Sequence, residues 1–355
     1  MIVSILVFLI IFSVIVIGHE FGHYSVAVRN GIRVREFDIG MGPLLYKKRR
    51  GETDFCIRAL PFGGACMYDG VTGLETEEEK EMIAQDEHAF PNAPVFARIA
   101  TVFAGPFANF LLGFVFALII VAFSGTDLPV IQEIMENSAA EAAGLKAGDT
   151  IRRINGEHIH LYREVSMASS FNRGEEMTIE YIRDGKRYST TLTPRFHEED
   201  GRYLIGLRGS GEFVRTNALQ AFQYGFYETT YWVKATVKSL RQMFTGGFHR
   251  DDLSGPIGMV KAVDDTYDAA RPYGVWVTIL SFLNLATLLT VNLGIMNLLP
   301  IPALDGGRLI FLFIEAIRGK PVSPEKEGYV HLAGIAALLV LMAFVMFNDI
   351  TRFFR

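Results

Sequence analysis

Residues 2–23 read IVSILVFLIIFSVIVIGHEFGH, and this stretch predicts the fold class. No residue of Ile2–Gly18 is charged, and the apolar run resumes after Tyr24 and continues to Val28. About 20 predominantly apolar residues are enough for a helix to cross a bilayer. A cleaved signal peptide is disfavoured, because no basic region precedes the run and no small-x-small cleavage site follows it. The stretch therefore predicts a transmembrane helix over residues 1–30.

The composition of the whole chain is too apolar for one soluble domain. Of its 355 residues, 50% are hydrophobic and only 21% are charged, and the mean hydropathy is +0.25. Three more stretches contain no Asp, Glu, Lys or Arg, namely Ala100–Phe123, Val275–Leu304 and Leu332–Asn348. They predict spans within 95–124, 273–320 (together with a following helix) and 328–350. The sequence thus predicts a polytopic α-helical membrane protein with about four transmembrane helices.

The charge balance and the cysteine content argue against two other classes of protein. The chain has 34 Lys and Arg against 39 Asp and Glu, a net charge of −5 without a basic stripe, so nothing supports nucleic-acid binding. Its two cysteines, Cys56 and Cys66, are too few and too far apart for a Cys-x-x-Cys zinc site or a disulfide scaffold. They are interpreted as small apolar residues.

Basic residues between the predicted spans indicate the orientation, because short loops rich in Lys and Arg stay on the cytoplasmic side. The loop after the first span contains the run Lys47-Lys48-Arg49-Arg50, and the third span is followed by Arg308, Arg318, Lys320 and Lys326. Both loops are therefore predicted to be cytoplasmic. The two termini and the large segment between the second and third spans are then extracytoplasmic.

The segments between the spans differ in pattern. In the first loop, residues 31–94, the stretch Arg35–Tyr68 alternates apolar and polar residues around a Lys-Arg-Gly turn, which predicts a β-hairpin. The acidic run Glu75–Glu87 predicts a solvated surface helix. Residues 126–215 predict a small globular domain. Residues 216–272 mix aromatic and basic side chains, which predicts an amphipathic segment at the membrane surface.

The small domain contains a fairly specific motif. The run Asn137-Ser-Ala-Ala-Glu-Ala-Ala-Gly-Leu-Lys-Ala-Gly-Asp149 precedes a strand-like IRRINGEHI, and a hairpin turn is predicted at Asp184-Gly185. This segment resembles a PDZ domain of the bacterial protease type, with Ala139-Ala140 where Pro-Ala is usual. A generic α/β surface domain is the alternative. The sequence contains one copy of the motif.

The run His19-Glu20-Phe21-Gly22-His23 stands near the predicted cytoplasmic end of the first span. With 3.6 residues per turn, His19 and His23 share one helical face, so both rings can reach one metal ion while Glu20 projects beside it. An ionisable residue at the centre of a span costs about 2.5–3.5 kcal/mol, so such residues usually have a function. The pattern predicts an HExxH zinc motif, and side chains that only snorkel at the helix end are the alternative.

A catalytic zinc site needs a third protein ligand and an open position. Asp305 is the only acidic residue that closes an apolar span, in the run NLLPIPALDGG that begins at Asn297. The prolines break the helix and the glycines permit close backbone approach, which would aim Asp305 at the metal. An N-cap role of Asp305 for a helix Arg308–Ile317 is the alternative. The matching membrane depth of Asp305 favours the metal.

Together these motifs carry a resemblance to a known family. The HExxH motif in the first span and the NxxPxPxLDG motif of the third resemble the site-2 protease family of intramembrane zinc metalloproteases, of the bacterial RseP type. Further matching segments are Phe37–Pro43, Leu60–Gly64, Ala104–Asn109, the PDZ segment and Ser254–Gly258. The resemblance covers essentially the whole chain. The single PDZ copy differs from members with two and indicates the shorter branch common in Gram-positive bacteria.

The resemblance implies hydrolysis of peptide bonds inside or at the edge of the membrane, with the active site towards the cytoplasmic side. It implies that His19, His23 and Asp305 bind Zn²⁺ and that Glu20 takes and returns the proton. Asn297 is a candidate donor to the oxyanion. A structural cap at the broken helix is the alternative for Asn297.

The resemblance also implies the partners, which are the lipid bilayer and single-span membrane proteins such as anti-sigma factors or signal-peptide remnants. The hairpin Arg35–Tyr68 is expected to be associated with the membrane and to accept an extended substrate as an added strand. The PDZ domain is expected to restrict substrate access. Asn109 is expected to serve helix packing or to contact the substrate. The oligomeric state stays open.

Two functions from other classes compete with the protease. A catalytically inactive membrane scaffold that recruits partners through the PDZ domain is disfavoured, because His19, Glu20, His23 and Asp305 are all intact. A metal transporter would need ionisable groups along a pathway, and the other spans supply none. Cleavage of a single-span reporter distinguishes the three.

Overall fold

A computed structural model describes residues 2–70, 76–198, 202–209, 213–245 and 255–353. In chain order its elements are α1 (Ile2–Arg29), β1 (Val34–Arg50), β2 (Thr53–Tyr68), α2 (Glu77–Gln85), α3 (Val95–Ser124), β3 (Ile131–Ile134), α4 (Ala139–Ala142), β4 (Thr150–Ile154), β5 (Glu157–His158), α5 (Tyr162–Ser170), β6 (Met177–Arg183), β7 (Lys186–Leu192), β8 (Arg195–His197), β9 (Arg202–Leu204), β10 (Leu207–Gly209), α6 (Ala218–Phe244), α7 (Pro256–Ala270), α8 (Val275–Asn297), α9 (Asp305–Arg318) and α10 (Pro324–Phe353).

Four helices within these residues are long and apolar enough to cross a bilayer. They are Val3–Arg29 in α1, Val95–Ser124 in α3, Val275–Asn297 in α8 and Glu325–Thr351 in α10. All four lie where the charge-free stretches predict a span. The protein is therefore a multi-pass α-helical membrane protein.

The chain divides into two compact units, which are described one at a time. The first unit contains the residues up to Gly113 and those from Phe244 onward, and the second contains Phe114–Met243. The second unit is thus larger than the domain predicted at 126–215, because it also includes the end of α3 and nearly all of α6.

In the first unit, β1 and β2 form the predicted hairpin, but both strands bend back on themselves. Glycines with left-handed backbone, Gly40 (φ 87°) and Gly63 (φ 83°), stand at the bends, where other residues would be strained. Across the sheet the paired segments lie in the order 44–50, 53–58, 34–39 and 64–68. Tyr24 of α1 packs edge-on against Phe37 and Phe55, each at 5.5 Å between ring centroids, which fixes the hairpin on α1.

A buried carboxylate ties the last span to α7. Oδ2 of Asp349 accepts hydrogen bonds from the backbone amides of Gly255, at 3.0 Å, and Gly258, at 2.9 Å. These amides belong to the first turn of α7, where a negative charge is favourable because the helix leaves amides unpaired there. The contact gives a structural role to part of the Ser254–Gly258 motif, of which Ser254 itself lies outside the described residues.

The second unit contains the domain predicted at 126–215, here called the PDZ-like domain. Its sheet has the strand order β5-β4-β6-β7, while β10 pairs with β3 and β8 with β9. The core contains Ile131, Leu145, Ile151, Val165 and Ile179. The predicted turn at Asp184 (φ 48°) and Gly185 (φ 74°) joins β6 and β7 with the positive φ angles that a two-residue hairpin favours.

Buried ionic groups join α6 to the PDZ-like domain. The Arg163 guanidinium lies 2.9 Å from Glu228 on α6 and 3.6 Å from Asp127. Nζ of Lys234 lies 2.8 Å from Oε1 of Glu164. α6 exposes apolar side chains, among them Leu219, Phe222, Phe226 and Val237. The helix is therefore bound to the domain by charged groups and has an apolar face left exposed.

We expect the stability of the second unit to fall as the pH rises from about 4 to about 7. Burial raises the pKa of Glu228 to about 7, with added repulsion from Asp127 and Glu164 and an opposing effect of Arg163. Glu228 therefore keeps its proton in the folded state up to about pH 7, whereas the unfolded chain releases it near pH 4. The contribution of Glu228 to the free energy of unfolding is full below about pH 4 and is lost as the pH rises through about 7. Hydrogen exchange of the α5 and α6 amides between pH 5 and 8 measures the loss, which should be on the order of 1–3 kcal/mol.

The matched variant is Glu228→Gln, which keeps the shape of the side chain and removes its titration. Its exchange rates, corrected for the intrinsic pH dependence, should change less between pH 5 and 8 than those of the parent. Equal pH dependence in the two proteins would contradict the assignment to Glu228.

Candidate active site

His19 and His23 lie one turn apart on α1 and direct their rings at a common point. Their Nε2 atoms are 3.2 Å apart. Oδ2 of Asp305, the first residue of α9, lies 3.2 Å from Nε2 of His19 and 3.4 Å from Nε2 of His23. Both histidines are buried. The HExxH motif and the distant Asp305 therefore form one cluster.

The second ring nitrogen of His23 fixes where its hydrogen lies. Nδ1 of His23 is 2.8 Å from the carbonyl oxygen of Thr101 on α3. A carbonyl oxygen only accepts, so Nδ1 carries the hydrogen and donates it to Thr101. In the neutral imidazole, Nε2 then has an unshared electron pair directed at the cluster.

The segment Ala104–Asn109 of α3 makes room for the two rings. A Cβ atom at Gly105 would overlap the His23 imidazole and would come within 2.8 Å of Cε1 of His19, so only glycine fits there. Asn109 is fully buried, and its side-chain amide nitrogen lies 3.1 Å from Nδ1 of His19. The motif thus contributes both space and a polar contact to the histidine pair.

The loop before α9 presents Asp305 to the histidines. Ala303 has a left-handed backbone (φ 79°), which is uncommon for a residue with a Cβ atom, and its amide donates to Nδ1 of His331 at 2.9 Å. A Cβ atom at Gly306 would collide with carbonyl oxygens of the loop. The N-cap of α9 is Leu304, and Asp305 is the first helical residue. The alternative reading of Asp305 as the N-cap of a helix that begins at Arg308 is therefore wrong.

A cavity of about 380 Å³ opens beside the cluster. Glu20 and Asn297 both line it, and Nδ2 of Asn297 lies 3.4 Å from Nε2 of His19. The strand β2 contributes Gly64, Ala65, Cys66 and Tyr68 to the wall. All five predicted site residues and an extended strand therefore meet at one space.

Two further ionisable groups in the cavity wall stay uncharged at neutral pH. Burial raises the pKa of the Cys66 thiol to about 12 and raises the pKa of the Tyr68 hydroxyl well above its usual range. A thiol needs to lose its proton to bind a metal. Cys66 does not belong to the group of potential ligand atoms that His19, His23 and Asp305 bring together.

The donor set fits a divalent metal ion. With His23 neutral, the unshared pair on Nε2 faces Oδ2 of Asp305, and this oxygen is buried without a hydrogen-bond donor among the described residues. Electron pairs that face each other repel, and a cation between them removes the repulsion. Two imidazole nitrogens and one carboxylate oxygen are also the ligand types of catalytic zinc sites that keep one position open.

A second group of potential ligands lies on the hairpin but is already neutralised. Glu36, Asp38 and Cys56 bring ligand atoms together. Arg58 lies 2.8 Å from the Asp38 carboxylate and 3.3 Å from Glu36, and Lys47 lies 3.6 Å from Glu36. This group is an ion-pair cluster of the hairpin, because basic side chains occupy the positions that a cation would take.

Comparison with known proteins identifies the family of this chain. The model of a family described as peptidase family M50 matches residues 7–341. The chain belongs to this family, that of the site-2 proteases. The zinc metalloprotease RasP of Geobacillus kaustophilus is 34% identical to this site-2 protease, with 99% of this chain and 98% of the relative covered.

Two further relatives also match this chain over nearly their whole length. The regulator of sigma-W protease RasP of Bacillus subtilis is 33% identical, with 99% of each chain covered. A putative zinc metalloprotease of Clostridium acetobutylicum is 34% identical, with 98% of this chain and 97% of the relative covered. Among solved structures, the PDZ domain of an SdrC-like protein from Listeria monocytogenes covers 25% of this chain at 19% identity, with a TM-score of 0.21. From its family and its relatives, this site-2 protease is a zinc metalloprotease, as the sequence motifs predict.

Several contacts of the site have no signal in the sequence of this site-2 protease. Thr101 contacts His23 through its backbone carbonyl, and His331 contacts the Asp305 loop through an ordinary side chain. Gly105 does belong to the Ala104–Asn109 motif of the sequence, but its role in making room for the two rings has no signal there. Asn109 belongs to a motif that the sequence does single out, but as a packing or substrate residue. Its contact with His19 depends on which helices are neighbours, which the sequence alone leaves open.

Proposed function

We propose that this protein is an intramembrane protease that hydrolyses peptide bonds in or near the transmembrane segment of single-span membrane proteins. The observation that carries the proposal is the convergence of His19, His23 and Asp305, with ligand atoms 3.2–3.4 Å apart, beside the cavity lined by Glu20. Both histidines belong to a helix that is apolar enough to cross a bilayer. The chemistry would therefore take place at membrane depth.

His19, His23 and Asp305 would hold the zinc ion. Zinc bound there would polarise the scissile carbonyl and lower the pKa of water. Glu20 would take the proton from the attacking water and return it to the leaving amine, since it lines the cavity without belonging to the metal cluster. The amide of Asn297 would donate a hydrogen bond to the oxygen on which negative charge develops.

An extended substrate would bind along residues 64–68 of β2. Within the described residues, this segment pairs with 34–39 on one side and has no strand on the other, and its side chains reach the cavity. The unpaired amides and carbonyls of such an edge bond an added strand. A helical substrate would have to unwind first, because its own amides are bonded within the helix.

The proposed substrates are membrane proteins with one span. One relative bears the name regulator of sigma-W protease, which supports anti-sigma factors as a substrate class. Signal-peptide remnants have the same single-span form and are a second class. The lipid bilayer would contact the apolar side chains that the spans expose, such as Leu6 and Ile10 of α1.

The proposed orientation follows from the basic residues. The run Lys47–Arg50 on the hairpin, and Arg318 and Lys320 after α9, would face the cytoplasm. The active site near the end of α1 would then lie towards the cytoplasmic side, and both termini and the PDZ-like domain would lie outside.

The PDZ-like domain would restrict access and leave the chemistry unchanged. None of the described residues that line the cavity belongs to this domain. A substrate with a bulky outer domain would be rejected, whereas a substrate already shortened by a first cut outside would pass. Binding of a chain end by strand addition is a second way for the domain to select substrates.

Replacing Glu20 by Gln should abolish turnover while zinc stays bound, because the proposed role of Glu20 is proton transfer. The loss should be about 10²- to 10⁴-fold or more. Asp305→Ala and His23→Ala should lose both activity and tightly held zinc. Reporter cleavage and the zinc content of the detergent-purified proteins check the two effects, and stoichiometric zinc in Asp305→Ala would remove Asp305 from the ligand set.

The orientation predicts which engineered cysteines an impermeant thiol reagent reaches in intact cells. In a background with Cys56 and Cys66 replaced by Ala, Lys186→Cys beside the β6–β7 turn should be labelled. Glu78→Cys on α2 should be labelled only after the membrane is permeabilised. The reverse pattern would invert the topology.

Disabling the PDZ-like domain should leave cleavage of a pre-shortened substrate within a few fold of the parent and should permit some cleavage of the full-length substrate. Deletion of residues 126–215 with a flexible bridge is one variant. Gly148→Val is a milder one, since Gly148 has φ 90° and a branched residue is strained there. Deletion combined with Glu20→Gln is the inactive control. If a well-folded, zinc-loaded variant does not cleave the shortened substrate, the domain is needed for productive binding, and the proposal that it only restricts access is wrong.

A further inference from the structure

We propose that Asn109 is a positioning residue for the metal site, and that its side-chain oxygen accepts a hydrogen bond from Nδ1 of His19. The inference rests on the proposed role of His19 as a zinc ligand. It gives the Ala104–Asn109 motif a function different from packing or substrate contact.

The argument starts from the two nitrogens of the His19 ring. Nε2 is the atom that faces the cluster, 3.2 Å from both Nε2 of His23 and Oδ2 of Asp305. A metal ligand must offer an unshared pair, so Nε2 has to be free of hydrogen and Nδ1 has to carry it. Among the residues that the structure describes, Asn109 alone brings a side chain within hydrogen-bond distance of Nδ1, with its terminal amide 3.1 Å away.

The hydrogen on Nδ1 decides how the amide of Asn109 is turned. A half-turn of the amide exchanges its oxygen and nitrogen, so either atom can lie next to Nδ1. With the nitrogen towards Nδ1, the ring would have to accept there and would carry its hydrogen on Nε2, which blocks metal binding. With the oxygen towards Nδ1, the ring donates and Nε2 is left free.

A third residue completes this second arrangement. Oγ1 of Thr290 on α8 lies 3.5 Å from the other terminal atom of the Asn109 amide and 3.1 Å from the backbone oxygen of Asn109. The Thr290 hydroxyl can therefore accept from the amide nitrogen while it donates to the backbone oxygen. Each contact in the chain from His19 through Asn109 to Thr290 then joins a donor to an acceptor, and Thr290 and Asn109 are both fully buried.

The two histidines are thus held in the same way by different atoms of α3. His23 donates to a backbone carbonyl, that of Thr101, which no side-chain substitution removes. His19 depends on a side chain, so its orientation can be tested by mutation. Loss of such an outer partner typically costs about 10- to 100-fold in metal affinity.

The test measures zinc affinity of the detergent-purified full chain by competition with a fluorescent chelator. Asn109→Leu has nearly the same volume but no acceptor, and its zinc affinity should fall about 10- to 100-fold. Asn109→Asp offers acceptor oxygens only, and its affinity should stay within about threefold of the parent or increase. The control is Thr287→Val, which removes a buried hydroxyl of α8 that donates to the carbonyl of Leu283, and should leave the affinity unchanged.

The Asp variant decides between the two turns of the amide, because it supports the bond only if Nδ1 donates. An unchanged affinity in Asn109→Leu would overturn the inference, and so would a loss in Asn109→Asp as large as that in Asn109→Leu. Thermal unfolding of each zinc-free protein identifies a variant that fails to fold, in which case the Asp result alone decides. His23→Ala tests the proposed metal site separately. If His23→Ala keeps its zinc, the proposed ligand set is wrong. If His23→Ala loses its zinc while Asn109→Leu binds zinc as tightly as the parent, only the role of Asn109 is wrong.

Discussion

The rest of the site depends on one constraint: inside an apolar helix bundle, ligand atoms with unshared electron pairs lie close together and face each other. With His23 neutral and its hydrogen on Nδ1, no hydrogen lies between Nε2 of His23 and Oδ2 of Asp305, which are 3.4 Å apart. In a membrane span, such groups are expensive unless a partner satisfies them. A bound cation would be that partner, and the surrounding features have the form that it would require. Gly105 leaves room for the rings, and Ala303 accepts a left-handed backbone so that the carboxylate reaches them.

The first unit alone contains everything that the proposed chemistry needs. The ligand cluster, Glu20, Asn297 and the edge of β2 surround one cavity, and all belong to residues before Gly113 or after Phe244. The PDZ-like domain has its own core and its own ionic contacts with α6. If the PDZ-like domain selects substrates as proposed, this selection would be able to change without change in the metal site, since the two depend on different side chains.

The sequence predicts those parts of the fold that follow from local pattern. Four charge-free stretches predict four helices, and the spacing of His19 and His23 predicts that their rings share a face. Asp305 is found because a carboxylate at the end of a span is rare. The fold-back of the hairpin is missed, because alternation in β1 and β2 gives strands but does not tell which segment lies at the edge. The contacts of Thr101 and Asn109 are missed for a similar reason, since they depend on the packing of α1 against α3.

The position of the β2 edge beside the metal cluster gives a physical reason for combining a sheet with membrane helices. A substrate span that unwinds exposes amides and carbonyls, and each one left unpaired in hydrocarbon costs several kcal/mol. A free strand edge replaces the lost helical bonds one by one as the chain becomes extended. Because Gly64, Ala65, Cys66 and Tyr68 line the same cavity as Glu20, the bonds would be regained where the proposed cleavage takes place. Unwinding of the substrate helix and presentation of its scissile bond would then be one process. Hydrogen bonds formed with the β2 edge would reduce the free-energy cost of unwinding.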